Sequence, residues 1–126
     1  MSTENNKAFV RKYLDALSGK DKPRALQDEY IADSDEELKN HIMFFEASFP
    51  QYELIADDMI AEGDRVSVLA RFRGAHKGDL MGIAPTDKEV NLPFAITYRL
   101  GGGKIVQHWM SIDRMALMEQ LGVAPT

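Results

Sequence analysis

The chain reads as an α+β fold in which N-terminal helices pack on the concave face of a curved, cone-shaped antiparallel sheet. Apolar residues recur at helical spacing through the first part of the sequence, and beyond Pro50 the period switches to two. Glycine-rich turns, Gly63 and Gly101-Gly102-Gly103, join the alternating runs as hairpins. Helices first, strands second and a short helix last is the order expected when helices cover one face of a sheet.

Residues 4 to 18 place Phe9, Val10, Tyr13, Leu14 and Leu17 on one stripe, with Ser2 or Thr3 as cap and Gly19 as stop. Pro23 suits the first turn of a second helix carrying Leu26, Tyr30 and Ile31. Ser34 and Glu37 form a capping box for a third, with Leu38, Ile42, Phe45 and Phe49 on its apolar side and Pro50 beyond its end. Tyr52, Leu54 and Ala56 then alternate with polar neighbours. After a turn at Glu62-Gly63-Asp64, Val66, Val68, Ala70 and Phe72 do the same against Arg65, Ser67, Arg71 and Arg73. Val90, Leu92, Phe94, Ile96, Tyr98 and Leu100 share one face of a long strand, and residues 104 to 112 return as the last. A short closing helix would carry Met115, Met118 and Leu121 inward and stop at Gly122. The six methionines from Met43 onward read as core or interface rather than as a recognition surface.

At 126 residues the chain has the length of one domain over 1–126, without repeat or linker. Hydrophobic residues at 44% and charged residues at 28% are ordinary for a globular protein. The net charge of −5 is spread along the chain, which argues against nucleic acid as a partner because phosphate binding needs a basic patch. No apolar run reaches the roughly 18 residues of a membrane span, so no membrane partner is expected. The polar start, Met1-Ser2-Thr3-Glu4-Asn5, does not read as a signal peptide. There is no cysteine, which removes disulfides, thiolate metal sites and cysteine nucleophiles and fits a reducing, cytoplasmic setting. Nucleophile-elbow, zinc-protease and phosphate-loop signatures are also missing.

The segment from residue 57 to 122 carries Ala61-Glu62-Gly63-Asp64-Arg65-Val66, Gly74-Ala75-His76-Lys77-Gly78 and Met81-Gly82-Ile83. It continues with Gly103-Lys104-Ile105-Val106, His108-Trp109, Asp113 and Gln120-Leu121-Gly122. In this combination the chain resembles the SnoaL-like polyketide cyclases, a family of the nuclear-transport-factor-2-like superfamily. The resemblance implies an α+β cone, a homodimer formed through the outer sheet face, and an apolar pocket for a small carbonyl compound. It implies acid/base chemistry of the intramolecular aldol type without metal or organic cofactor, with Asp113 as the acid/base. Such a carboxylate, set against apolar walls, takes a proton from an activated C–H and returns one to a carbonyl oxygen. His108 would polarise the carbonyl or relay the proton, and Trp109, Tyr13 and Phe45 would line the pocket.

Three observations complicate that assignment. Asp113 sits where aspartate makes a good helix cap. In a regular strand His108 points away from the face shared by Trp109 and Asp113. Where the family carries a polar residue after the second helix, this chain has Tyr30-Ile31-Ala32-Asp33-Ser34; His41, on the third helix, is the available substitute, although a lone histidine at a helix edge is usually structural. The alternative class is a non-catalytic, dimeric small-molecule-binding module on the same scaffold, because one fold hosts many functions.

Overall fold

The computed structural model describes residues 2–123. Helix α1 (Thr3–Leu17) starts at Ser2, whose hydroxyl accepts from the Asn5 amide at 3.0 Å. Helix α2 (Arg24–Tyr30) follows Pro23, which stands just before the first turn rather than within it. A single 3-10 turn (Asp33–Asp35) leads into α3 (Glu36–Ser48). The cap of α3 is Asp35, which accepts from the Leu38 amide at 3.2 Å. Ser34, expected to cap, instead donates to the Val106 carbonyl at 3.1 Å. Both residue types cap well, and their neighbours across the chain decide between them.

Strands β1 (Glu53–Glu62), β2 (Arg65–Ala75), β3 (Glu89–Gly101) and β4 (Lys104–Ile112) form one antiparallel sheet in sequence order. A bulge between Ala56 and Asp58 in β1 and another after Arg99 in β3 break the register locally, which increases twist and curves the sheet. Gly102 and Gly103, both at positive φ, make the two-residue turn between β3 and β4. Helix α4 (Arg114–Leu121) buries Leu117 and Leu121 at i, i+4. Met115, expected to point inward, is exposed, because the helix turns the Leu117 side to the sheet. The Gln120 amide brackets the Asn91 backbone, accepting at 2.7 Å and donating at 2.9 Å, and so pins α4 beside β3.

The inward faces of the strands and the helices enclose two adjoining apolar clusters, which share Leu54 and Phe94. Gly74 and Gly78 belong to this packing. A side chain at Gly74 would press on Phe49 and Tyr52, and one at Gly78 would strike the Ala47 carbonyl at the end of α3. Between them His76 is fully buried, its Nδ1 accepting from the Thr86 amide at 3.2 Å. The Gly-Ala-His-Lys-Gly motif therefore holds the loop after β2 against α3.

Burial pushes the phenols of Tyr13, Tyr52 and Tyr98 up, so they stay neutral well into alkaline solution. Unfolding releases them to ionise near their ordinary value of about 10. Their contribution is thus whole below that pH and lost above it, by up to about 1.4 kcal/mol per pH unit for each phenol. Urea unfolding between pH 9 and 11 is expected to show this decline, and Tyr98→Phe to make it shallower; identical slopes in the two proteins would contradict it.

Candidate functional site

The site grows from the alternation of β4. His108, Met110 and Ile112 turn toward the helices, while Gln107, Trp109 and Ser111 turn away. Trp109 consequently lies on the outer face, 42% exposed, with the Arg65 guanidinium 4.9 Å from its ring centre. It takes no part in the cavity expected around it. The strand is regular where it matters, and the apolar cavity belongs to the His108 face.

Asp113 follows the last residue of β4 and is exposed. Its carboxylate accepts from the Ala116 amide at 3.0 Å and caps α4. Its neighbours Ile112 and Arg114 reach the cavity wall, but Asp113 does not. The geometry here is that of the cap, because the chain leaves the strand at this residue and the side chain turns to the amides of the new helix.

Two cavities lie between the sheet and α3. The inner one, about 50 Å³, is walled by Tyr13, Tyr52, Tyr98, Phe72 and other core side chains. The outer one, about 380 Å³, opens between α3, the loop carrying Leu80 and Met81, and α4. His41, Phe45, Met110 and Ile112 form walls of both. Tyr13 and Phe45 therefore stand where the sequence places them, in cavity walls. The outer volume lies within the range of small-molecule sites, whereas the inner one holds no more than water-sized species. Met81, Met110 and Met118, taken from sequence as core or interface, line the outer cavity.

Behind the shared wall stands a buried pair. His108 Nδ1 lies 2.8 and 3.0 Å from the two carboxylate oxygens of Asp35, and both side chains are 6% exposed. A carboxylate on Nδ1 selects the tautomer with its proton there and leaves Nε2 as the basic nitrogen. The His41 ring packs edge-to-face on His108 with centroids 5.8 Å apart. Its Nε2 lies 3.7 Å from Glu37 Oε1, and its Nδ1 is buried without a hydrogen-bond partner among the described residues. A buried polar atom left unpaired calls for an explanation, and His41 is the residue whose ring also lines both cavities. The three phenols of the inner cavity, being neutral, are donors and not bases.

The sequence missed this set for identifiable reasons. Asp35 stood hidden behind Ser34 as a competing cap, and its partner lies 73 positions away. From sequence His41 reads as an edge histidine, with nothing local to pair it with His108. No group of three or more histidine, cysteine, aspartate or glutamate side chains with metal-binding geometry occurs among the described residues.

The family model for SnoaL-like polyketide cyclases matches residues 10–121. The chain belongs to this family. A search of curated proteins finds no match. Among solved structures, AclR, a candidate hydroxylase from Streptomyces galilaeus, is 24% identical with a TM-score of 0.83, over 99% of this chain and 85% of its own. A candidate SnoaL-like polyketide cyclase from Jannaschia sp. CCS1 is 23% identical with a TM-score of 0.84, over 98% and 95%. IdmH, a candidate polyketide cyclase from Streptomyces antibioticus, is 23% identical with a TM-score of 0.78, over 94% and 99%. At these identities the structural likeness establishes the fold of this SnoaL-like chain, and its chemistry has to be argued from its own residues.

Proposed function

We propose that the protein is a cofactor-independent cyclase or isomerase performing acid/base chemistry on a small apolar carbonyl compound in the outer cavity. The observation that carries this reading is His41, an imidazole in the wall of both cavities with an uncommitted nitrogen, packed against the Asp35-bound His108. In an intramolecular aldol closure, His41 takes a proton from the carbon beside a carbonyl. The resulting enolate carbon attacks a second carbonyl of the same molecule, and that oxygen takes the proton back from His41. A C–C bond forms, no electrons are transferred to a cofactor, and the proton count closes. The Asp35 carboxylate offsets charge gained by the paired imidazoles. Asp113, in this reading, is a cap.

Solvent exchange tests it. In D₂O the protein is expected to accelerate deuterium uptake at the α-carbon of an aryl ketone such as 1-indanone, followed by proton NMR. Saturable binding of the ketone without faster exchange would favour the non-catalytic binding module, to which the small inner cavity, walled by Phe45 and Met110, lends support.

The homodimer rests on the outer sheet face. Ile60, Ser67, Thr97 and Trp109 form one row across the four strands, with Leu69 and Ala95 in the next. Ile60 is 66% and Leu69 56% exposed, an apolar patch that a second copy would cover. An interface on the order of 1,600 Å² in total is expected, and light scattering should report twice the chain mass at micromolar concentration. A monomer there contradicts it.

A further inference from the structure

The wall of the outer cavity is apolar apart from Asn40, His41 and Arg114. Among the described residues Arg114 is its only permanent charge, and no carboxylate of theirs forms part of that wall. Arg24, Arg71, Arg73 and Arg99 each lie within 4.0 Å of a carboxylate, Arg65 covers Trp109, and Arg11 lies away from this cavity on α1, in a surface cleft shared with Glu4, Asp57 and Asp58. Arg114 has no ion-pair partner among the described residues, although the chain carries five more acidic than basic side chains. Its sequence neighbour Asp113 is committed to the Ala116 amide. The guanidinium stands at the start of α4, where the helix dipole also favours negative charge. Opposite it, across the cavity, α3 contributes His41, Phe44 and Phe45, and Met81, Met110 and Met118 supply adaptable apolar walls.

From this arrangement we infer that the ligand is an apolar acid, with its hydrophobic body in the outer cavity and an anionic group, such as a carboxylate, held by Arg114. The inference rests on the reading of this cavity as the substrate site and deepens it by naming the substrate class. A planar guanidinium binds a carboxylate through two parallel N–H donors, which would fix the molecule end to end. With the acid at Arg114, the apolar stretch between the two polar groups sets which carbonyl of the ligand reaches His41. A neutral ester of the same body would lose that orientation.

The test uses a matched pair of fluorescent probes, 1-anilinonaphthalene-8-sulfonate and N-phenyl-1-naphthylamine, which share an apolar body and differ in the anionic group. Arg114 is exposed on the first turn of a helix, so its replacement leaves the core untouched. Arg114→Gln is expected to weaken the sulfonate about tenfold while changing the amine less than about twofold, and Arg114→Lys to restore most of the difference. Met118→Trp, which fills the cavity, is expected to weaken both probes. Equal effects of Arg114→Gln on the two probes, or none on the sulfonate, overturn the assignment of Arg114. Amine binding that still responds to Met118→Trp in that case leaves the cavity itself standing. Failure of both probes to bind, or binding indifferent to Met118→Trp, overturns the Arg114 assignment and the cavity reading together.

Discussion

Asp35→Ala is expected to destabilise the protein by about 2–4 kcal/mol in urea unfolding, a large effect for one short side chain. Two losses combine. The Leu38 amide loses its cap, a change worth about 1 kcal/mol at a typical helix start. His108, only 6% exposed, loses the acceptor for its Nδ1 proton, and a buried donor left unpaired costs about 1–3 kcal/mol. Asp35→Asn separates these terms. Asparagine caps nearly as well and its side-chain oxygen still accepts one hydrogen bond, so a loss under about 1.5 kcal/mol is expected. Equal losses for the two substitutions would show that the carboxylate's charge, rather than its hydrogen bonds, holds β4 to α3.

His41→Phe is expected to lower the exchange rate at the ketone α-carbon at least about 100-fold, the usual contribution of a positioned acid/base. Phenylalanine preserves the planar wall between the cavities and the edge-to-face contact with His108, and removes both nitrogens. The His41 side chain is 40% exposed, so stability should move by no more than about 0.5 kcal/mol. Loss of exchange without loss of stability therefore reports chemistry and not collapse of the site. An unchanged rate in His41→Phe would return the ring to the status of a helix-edge histidine.

Elements whose pattern is local were legible: α1 with its Ser2 cap, the alternation of β2 and β3, the glycine turn before β4, and β4 itself from residue 104 to 112. So was the opposition of His108 and Trp109, which follows from the period of a strand alone. Periodicity says that two residues face opposite ways; it does not say which way the helices lie. The resemblance accordingly places the cavity around Trp109, whereas the helices cover the face of His108. Asp35 was illegible for a related reason. Three acceptors, Asp33, Ser34 and Asp35, compete to start α3, and long-range contacts with His108 and Val106 settle which of them does. Family resemblance supplied the fold. The same resemblance points to Asp113, whose sequence position serves a cap and a cavity base equally well.

In the proposed chemistry the reacting group is His41, in the wall shared by the two cavities, and not the carboxylate at the end of β4. Asp113→Asn tests it most directly, because asparagine keeps the cap and removes the only carboxylate the family pattern offers as a base. The measurement is deuterium uptake at the ketone α-carbon by this variant beside the wild-type protein. Rates within about threefold of each other are expected, a barrier change of less than about 1 kcal/mol. A fall of about 100-fold or more in Asp113→Asn, with stability unchanged, would contradict it and place the base at Asp113.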